Sequence, residues 1–287
     1  MNRFVTPVQR TFARELGFLG VLLGIVGWSA PAQAQLRVDS LRQDLRHMAG
    51  DIWSVWTSPV HATEDDWAGV AAAAALTGVA ATADRPLAQW ITNHPNAWPV
   101  RTLKHTLSEE AKYPAYEFGS GQYLLPLSGV LYLAGAIGHS QALRDAGLGC
   151  ATAHLTSAGA REVVYLLVAR DRPRLSPDDP FVIRAPGVHD WNEHSFFSGH
   201  IANSLGCASF LSHRFDLHAA TPVLYGFTIA IGAGRIMDGR HWLSDTVVGA
   251  LFGYATGKAV AARMLERENR SATPSKAPLA VSFSVPF

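Results

Sequence analysis

The chain has 287 residues, of which 48% are hydrophobic and 16% are charged, so it is long and apolar enough to bury a sizeable core. This composition excludes a disordered protein, which would be poor in hydrophobic residues. Lys and Arg number 24 and Asp and Glu number 23, which gives a formal net charge of +1, and the sequence contains no long basic run. Nucleic acid is therefore not an expected partner, since binding it requires a patch that neutralises several phosphates.

The first 34 residues are typical of a secretory signal peptide. Arg3, Arg10 and Arg14 precede an apolar run from Leu16 to Trp28, and residues 32–34, Ala-Gln-Ala, supply a small-x-small cleavage pattern. An uncleaved membrane anchor is the alternative, although the run is shorter than the roughly 20 apolar residues that span a bilayer. We therefore expect an exported protein, located in the periplasm or in the cell membrane with its functional site facing the periplasm.

Residues 35–120 are predicted to form an N-terminal helical region. Its first part is an amphipathic helix that ends at Ser58-Pro59, because apolar residues recur at spacings of three and four, at Leu41, Leu45, Met48, Ile52 and Val55. The small-residue run from Trp67 to Ala83 suits close contact between helices, and an ordinary buried helix explains it equally well. From Asp84 to Ser120 the chain is polar and rich in Pro and Asn, which predicts a connection with at most a short helix.

Residues 121–268 contain helix-length apolar segments that are separated by short polar joints. The segments are QYLLPLSGVLYLAGAIG, ATAHLTSAGAREVVYLLVA, HIANSLGCASFLS, TPVLYGFTIAIGAG and LSDTVVGALFGYATGKAVAARM. Strand alternation is absent from most of this stretch, so we predict an all-α fold, a bundle of about six core helices preceded by the N-terminal amphipathic helix. The mean hydropathy of +0.08 is low for a protein that crosses a membrane several times, and the sequence leaves open whether the bundle does so.

Two smaller features complete the sequence. Residues 269–287 are predicted to be a C-terminal tail, whose alternating APLAVSFSVPF supports one short strand at most. Cys150 and Cys207 would pair in an oxidising compartment, but two buried free thiols are equally consistent with their apolar surroundings.

Charged and polar residues are costly among apolar helices, so chemistry is expected at the polar joints. Three joints stand out: VARDRPRL, with Arg170, Arg172 and Arg174; HSFFSGH, from His194 to His200; and GRIMDGRHWLSD, with Arg235, His241 and Asp245. Each has an ordinary explanation when it is taken alone. Arginines complement a helix dipole, Ser198 caps a helix, and His241 with Asp245 forms a surface pair or part of a metal site. No other His, Cys or Glu stands at a spacing that would complete such a metal site.

Taken together, the joints contain the parts of a metal-free site for phosphoryl transfer. Guanidinium groups bind an oxyanion in bidentate fashion and stay charged at working pH. Ser198 and Gly199 open a helix whose N–H groups and dipole attract a phosphate, and the missing side chain of Gly199 allows a close approach. One histidine with a carboxylate partner exposes a nucleophilic nitrogen, while a second histidine donates a proton.

These residues resemble the type 2 phosphatidic acid phosphatases, whose superfamily also contains bacterial acid phosphatases and vanadium haloperoxidases. The pattern of that family is Lys-x6-Arg-Pro, then Pro-Ser-Gly-His, then Ser-Arg-x5-His-x3-Asp. The corresponding stretches here are YLLVARDRP (Tyr165–Pro173), FSGH (Phe197–His200) and GRIMDGRHWLSD (Gly234–Asp245). The third stretch is specific by itself, the other two are informative in series, and the resemblance covers about Gln122 to Met264.

The resemblance implies a helical fold of the same type and a role for each matching residue. His241 would be the nucleophile that forms a phosphohistidine, Asp245 would orient its ring, and His200 would protonate the leaving group. The phosphate oxygens would be bound by Arg172, Ser198, Gly199 and Arg235. The implied function is a phosphatase that needs no metal and no cofactor and hydrolyses phosphomonoesters or diphosphates, with a lipid phosphate of the cell envelope as the first choice. The oligomeric state is not indicated.

Three positions depart from the family pattern. Tyr165 stands where the family has lysine, Phe197 where it has proline, and Gly234 where it has serine. The missing lysine removes a positive charge that Arg170 or Lys104 would have to supply. Two other functions fit the same scaffold: a vanadate-dependent haloperoxidase, which resembles this pattern with the lysine present, and a non-catalytic envelope protein.

Overall fold

The computed structural model describes residues 32–107, 118–184 and 192–272, and most of these residues are helical. The N-terminal part contains α1 (Ala32–Thr57), a 3-10 helix (Ser58–His61), α2 (Glu64–Thr82), α3 (Asp84–Asn93) and α4 (Trp98–Leu107). The core contains α5 (Gly121–Ile137), α6 (Gln141–Leu167), α7 (Gly199–Phe215), α8 (Ala220–Met237) and α9 (Leu243–Ala272). Between α6 and α7, β1 (Ala169–Arg170) pairs antiparallel with β2 (Ile183–Arg184). The predicted all-α helical fold is confirmed, with this sheet of two short strands as an unpredicted addition.

Two predicted features, one at each end of the chain, fall wholly or partly outside the described residues. Residues 1–31 of the predicted signal peptide lie outside the described residues, as do residues 273–287 with the predicted short strand. α9 continues to Ala272, so the start of the predicted tail at 269 falls inside this helix. α1 ends before Ser58-Pro59, as the sequence predicted.

The prediction of a connection from Asp84 to Ser120 is wrong for its first half, which forms α3 and α4. Pro86 and Pro99 suggest breaks in the sequence, but each lies in the first turn of its helix, where proline costs no intrahelical hydrogen bond. Both helices are anchored by buried apolar side chains, including Ile91 on α3 and Val100 on α4. Packing against the bundle thus stabilises two short helices that a polar composition conceals.

The small-residue run from Trp67 to Ala83 forms α2, and it is an exposed helix. Thr63 and Asp66 form a capping box at its N-terminus, where the Thr63 N–H donates to the Asp66 carboxylate at 2.8 Å. Several apolar residues on α2 are more than half exposed, namely Trp67, Val70, Leu76 and Val79. The alternative of an ordinary buried helix is therefore not what the structure shows.

The amphipathic helix α1 is docked onto the bundle by ion pairs of two of its carboxylates, one of them buried. The carboxylate of Asp51 is fully buried, and it accepts hydrogen bonds from Arg263 Nε and Arg267 Nη1 on α9, both at 2.6 Å. Asp44 accepts from the Tyr132 hydroxyl at 2.7 Å and also pairs with Arg144. Two carboxylates of α1 thus fix this helix against α5, α6 and α9.

The contact between α7 and α9 is the most extensive in the fold, and glycines make it close. Gly249, Gly253 and Gly257 follow one another every four residues along α9. A Cβ at these positions would lie 2.5 Å, 2.3 Å and 2.2 Å from the carbonyl oxygens of Ser198, Ala202 and Gly206. The two helix backbones therefore touch along three turns, which fixes the N-terminus of α7 beside the start of α9.

Cys150 and Cys207 form a disulfide that joins α6 to α7, with their Cα atoms 4.4 Å apart. The bond lies in a hydrophobic cluster with Leu124, Phe210 and Val260. The structure thus resolves the choice between paired and free thiols that the sequence left open. The bridge ties the two helices that carry one side of the polar site described below.

Candidate active site

The structure brings the predicted site residues to one end of the bundle. Arg172 follows β1, Ser198 and Gly199 start α7, Arg235 lies on the last turn of α8, and His241 and Asp245 flank the start of α9. The Ser198 N–H donates to the Asp245 carbonyl at 3.1 Å, which joins the second and third joints directly. His200 is half-buried, and the other six residues are buried.

The ring of His241 is held in one tautomer by a backbone carbonyl. Its Nδ1 lies 2.7 Å from the carbonyl oxygen of Ser195, so Nδ1 carries the proton and Nε2 keeps its lone pair. Burial lowers the pKa of His241 well below its usual value, and the charges of Arg235 and Arg172 lower it further. His241 is therefore a neutral base with two cations beside it, which suits a nucleophile that attacks an anion.

Asp245 has partners other than the His241 ring. Its Oδ2 accepts from the Trp242 N–H at 2.8 Å, and its Oδ1 accepts from Arg170 Nη1. The structure thus gives the ring-orienting contact to the Ser195 carbonyl, whereas the resemblance implies it for Asp245. Because Trp242 is the neighbour of His241, Asp245 fixes the turn that carries the ring rather than the ring itself.

Beneath this turn lies a buried network that the sequence did not reveal. Asp84, at the start of α3, accepts from the Ser244 N–H at 2.9 Å and from the Ser244 hydroxyl at 2.6 Å. Arg170 Nη2 donates to the same carboxylate at 2.8 Å, so Arg170 joins Asp84 to Asp245. Arg170 is committed to two buried ion pairs, and the hypothesis that it replaces the missing lysine is therefore wrong.

The N-terminus of α7 offers a buried hydroxyl that other described residues leave unused. The Ser198 hydroxyl is buried and makes no hydrogen bond to any residue in the described ranges. The Nε–H of Arg172 donates to the carbonyl of His194 at 2.9 Å, which fixes this side chain beside the helix terminus. A hydroxyl, helix N–H groups and a guanidinium together are suited to hold the oxygens of an anion.

Two of the departures from the family pattern have clear packing partners. Tyr165 is buried on α6, where it hydrogen-bonds with Arg172, and its ring meets that of His194 edge-on at 5.5 Å between centroids. Phe197 is buried against Phe252, with 5.3 Å between ring centroids. Aromatic packing thus occupies the places of the family's lysine and proline.

Gly234 is explained by the close approach of α4 to α8. A Cβ at this position would lie 2.5 Å from the carbonyl oxygen of Leu107, the last residue of α4, and 2.7 Å from its Cβ. No side chain fits there unless the backbone moves, so the serine of the family cannot be accommodated in this packing.

Replacing Gly234 is accordingly expected to destabilise the fold. Gly234→Ser should lower the free energy of unfolding by about 1–3 kcal/mol, the usual cost of forcing extra atoms into a packed site. Thermal unfolding of the purified protein checks this, and Gly226→Ser on the same helix is the matched control because a Cβ there meets nothing within 4 Å. Equal midpoints for the two variants would contradict this account of the position.

The described ranges contain no group of three His, Cys, Asp or Glu side chains placed to hold a metal ion. His241 and Asp245 therefore have no third ligand among the residues that the structure describes. The described residues therefore do not complete the metal site that His241 and Asp245 suggested in the sequence.

The fold and the site define a helical protein with an anion cradle next to two histidines, and comparison with known families agrees. Residues 146–269 match the model of the PAP2 superfamily. This match confirms the resemblance that the sequence motifs indicated, and it contains all seven predicted site residues.

Two similar proteins give the comparison more detail. Over 67 residues the chain is 33% identical to a lipid A 1-phosphatase from Porphyromonas gingivalis, a stretch that covers 23% of this chain and 15% of that relative. The chain therefore spans a small part of the length of that curated relative. Among solved structures, it is similar to a crystal structure described as the first transmembrane PAP2 type phosphatidylglycerolphosphate phosphatase, from Bacillus subtilis. The similarity has a TM-score of 0.46 and 19% identity, and covers 71% of this chain and 93% of that one.

Proposed function

We propose that this protein is a phosphatase that hydrolyses phosphomonoesters or diphosphates through a phosphohistidine at His241. The observation that carries the proposal is the tautomer of His241, whose Nδ1 donates to the Ser195 carbonyl at 2.7 Å and leaves Nε2 with a lone pair. Arg172 and Arg235 lie close enough to lower the pKa of this ring, so an anion bound between them would be presented to Nε2.

The proposed reaction has two displacements. In the first, His241 Nε2 attacks phosphorus, the ester P–O bond breaks, and the departing oxygen takes a proton from His200. In the second, His200 takes a proton from water, the resulting hydroxide attacks phosphorus, and the P–N bond breaks to release inorganic phosphate. Arg172, Arg235, Ser198 and the Gly199 N–H stabilise the equatorial oxygens in both steps. Neither displacement uses a metal or a cofactor.

The protonation state of His200 gives the proposed reaction a pH dependence. Burial, with the charges of Arg161 and Arg172, lowers the pKa of His200 to about 3, so His200 is neutral in the empty site at pH 7. The proton of the first step must then arrive on the substrate monoanion, which predominates below the second pKa of a phosphomonoester, about 6.

We therefore expect kcat/KM to be largest on the acidic side of about pH 6 and to fall about tenfold for each pH unit above it, because one required proton is lost. A pH profile with an alkyl phosphate checks this. A value of kcat/KM that rises through pH 7–9 would show instead that catalysis needs no proton from the substrate monoanion.

A lipid phosphate is the substrate that the surroundings of His241 favour. A cavity of about 280 Å³ reaches this residue from the side of α3. Its walls combine apolar side chains with two cations. The apolar side chains are Leu87, Ile91, Met237 and Leu243, and the cations are Lys104 and Arg174. Lys104 thus lines the cavity that reaches His241, and it belongs to α4, whereas the family's lysine would belong to α6. Apolar walls with cations suit a substrate that has both an apolar and an anionic part.

Membrane association is part of the same proposal. Glu64–Asn93 and Ala220–Met237 are long and apolar enough to cross a membrane by length and composition, and Gly121–Ile137 is a shorter apolar helix. Their exposed faces carry large apolar side chains, such as Tyr123, Leu127 and Val130 on α5 and Val223 and Ile229 on α8. We propose that these faces contact lipid, since exposed clusters of large apolar side chains mark sites of interaction with membranes or partners.

We place the site on the periplasmic side of the envelope. The predicted signal peptide supports export, and the disulfide between Cys150 and Cys207 is of the kind that persists in oxidising compartments. A phosphatase at this location would reach lipid phosphates of the outer leaflet or of the periplasm.

A turnover assay tests the function against its two rivals. The purified protein is incubated with an aryl phosphate and with a lipid phosphate, each with excess EDTA, and separately with vanadate, bromide and peroxide. Release of phosphate that EDTA does not prevent supports the proposal. Activity that EDTA removes and a divalent metal restores would contradict the metal-free reaction, bromide oxidation would identify a haloperoxidase, and no turnover at all would identify a non-catalytic protein.

A further inference from the structure

Arg161 lies against the N-terminus of α7, although it belongs to none of the three polar joints. A Cβ on Gly199 would stand 2.6 Å from Arg161 Nη1 and 2.8 Å from its Cδ. The guanidinium of Arg161 therefore passes directly over Gly199, the first residue of α7. A helix N-terminus and a guanidinium both attract anions, and here they share one location.

The charge of Arg161 lowers the pKa of two residues of the proposed site, His200 and Arg172. Among neighbouring charges it is the largest cause of the lowered pKa of His200, and it also acts on Arg172. Arg161 and Arg172 are thus two cations that converge beside the same histidine. Two guanidinium groups on one side of a histidine attract a phosphate with two negative charges, because one phosphate can pair with both of them.

Arg161 also lies one helical turn before Tyr165, the residue that stands at the family's lysine position. Its guanidinium carbon is 5.5 Å from the centroid of the Tyr165 ring. The ring supports the guanidinium by a cation–π contact, while the Tyr165 hydroxyl is engaged with Arg172. A tyrosine at this position therefore serves to orient two arginines.

We propose that Arg161 binds an oxygen of the phosphate in the cradle formed by Ser198, Gly199 and Arg172, and so supplies the charge that Tyr165 cannot. This inference rests on the phosphatase function proposed above. It assigns the charge to a residue four positions, or about one helical turn, earlier on α6 than the family pattern indicates.

Glu162 is the group with which the phosphate would compete. The carboxylate of Glu162 pairs with Arg161, and the two side chains are 26% and 29% exposed. This exposure leaves the pair weak enough to open, since ion pairs in contact with water contribute little. Glu162 thus holds Arg161 in place when the site is empty and releases it to a bound anion, which predicts that removing the Glu162 charge strengthens anion binding.

Vanadate inhibition and steady-state kinetics with an aryl phosphate test the assignment. Arg161→Gln should raise KM and the inhibition constant of vanadate by about 10- to 100-fold, the usual worth of a hydrogen bond to a charged group. Arg161→Lys should recover part of this loss, and Glu162→Gln should lower both constants. Lys258→Ala is the control, because Lys258 is an exposed cation on α9 away from the site.

A rescue experiment guards against a variant that merely folds poorly. Adding Tyr165→Lys to Arg161→Gln places a cation at the family position, and this double variant should bind vanadate more tightly than Arg161→Gln alone. Unchanged vanadate affinity in Arg161→Gln, with a folded and active protein, would overturn the assignment. If the original protein binds vanadate without hydrolysing any phosphate ester, the proposed phosphatase function is wrong. The vanadate affinity of the Arg161→Gln variant then still tests whether Arg161 binds the anion. If the original protein binds no vanadate, both are overturned.

Discussion

His241→Ala is expected to reduce phosphate release to the assay background for every substrate, a loss on the order of 10⁶-fold, because it removes the group that carries the phosphoryl. The ring is buried, and its Nδ1 hydrogen bond goes to a backbone carbonyl, that of Ser195. Its loss should therefore leave the surrounding side-chain pairs in place. Steady-state kinetics with an aryl and an alkyl phosphate measure the effect.

Two controls accompany this variant. His218→Ala changes a histidine whose side chain is 79% exposed and should retain full activity. Vanadate binding and the thermal midpoint of His241→Ala show whether the cradle survives the change. Residual turnover of more than about one thousandth, in a folded variant, would mean that another group performs the first displacement.

His200→Ala is expected to separate substrates by their leaving groups. An alkyl phosphate releases a strongly basic alkoxide and needs a proton donor, whereas nitrophenyl phosphate releases a weak base that departs without help. General acid catalysis is worth about 10²–10⁴-fold, so kcat/KM should fall by that much more for the alkyl ester than for the nitrophenyl ester. The ratio of the two losses is internally controlled, because any general damage to the site lowers both rates.

The opposite pattern would be equally informative. Equal losses for the two substrates in His200→Ala would show that His200 positions the phosphate and is not the proton donor. A phosphorylated form of His241→Ala would show that the two histidines have each other's roles.

The helical fold follows from the sequence because its signals are local. Apolar segments of helix length with polar joints predict the helices of the core, and the stripe from Leu41 to Val55 predicts α1. The helices α3 and α4 were missed because their apolar contacts are with distant parts of the chain, while their own composition is polar. Whether α2 is buried was likewise undecidable, since small residues suit a protein contact and a lipid contact alike.

The spacing of residues in the sequence predicts which residues form the candidate site, but it does not predict their hydrogen-bond and ion-pair partners. The spacing of Arg235, His241 and Asp245 within one joint indicates a functional site. Three ionisable residues between apolar helices are energetically costly, and such residues are usually functional. The carbonyl of Ser195 has no sequence signal, since every residue has one. Asp84 stands 161 positions before Asp245, and only the folded chain brings both to Arg170.

Arg161 shows why a pattern alone misplaces a charge. The sequence indicates that a lysine is missing at 165 and offers Arg170 and Lys104 as replacements. Arg170 is bound to two buried carboxylates, and Lys104 lines the cavity on the side of α4. The distance between Arg161 and Gly199 depends on how α6 packs against α7, which glycines and the disulfide between those helices determine.

A trapping experiment tests whether the phosphoryl group passes through His241. His200→Ala is mixed with a substrate labelled in its phosphoryl group, quenched in alkali, where phosphohistidine survives, and digested for mass spectrometry. We expect a label on the peptide that contains His241, lost on mild acid treatment and absent from a variant that also carries His241→Ala. A label on a serine, or phosphate release with no labelled protein at any time, would contradict it.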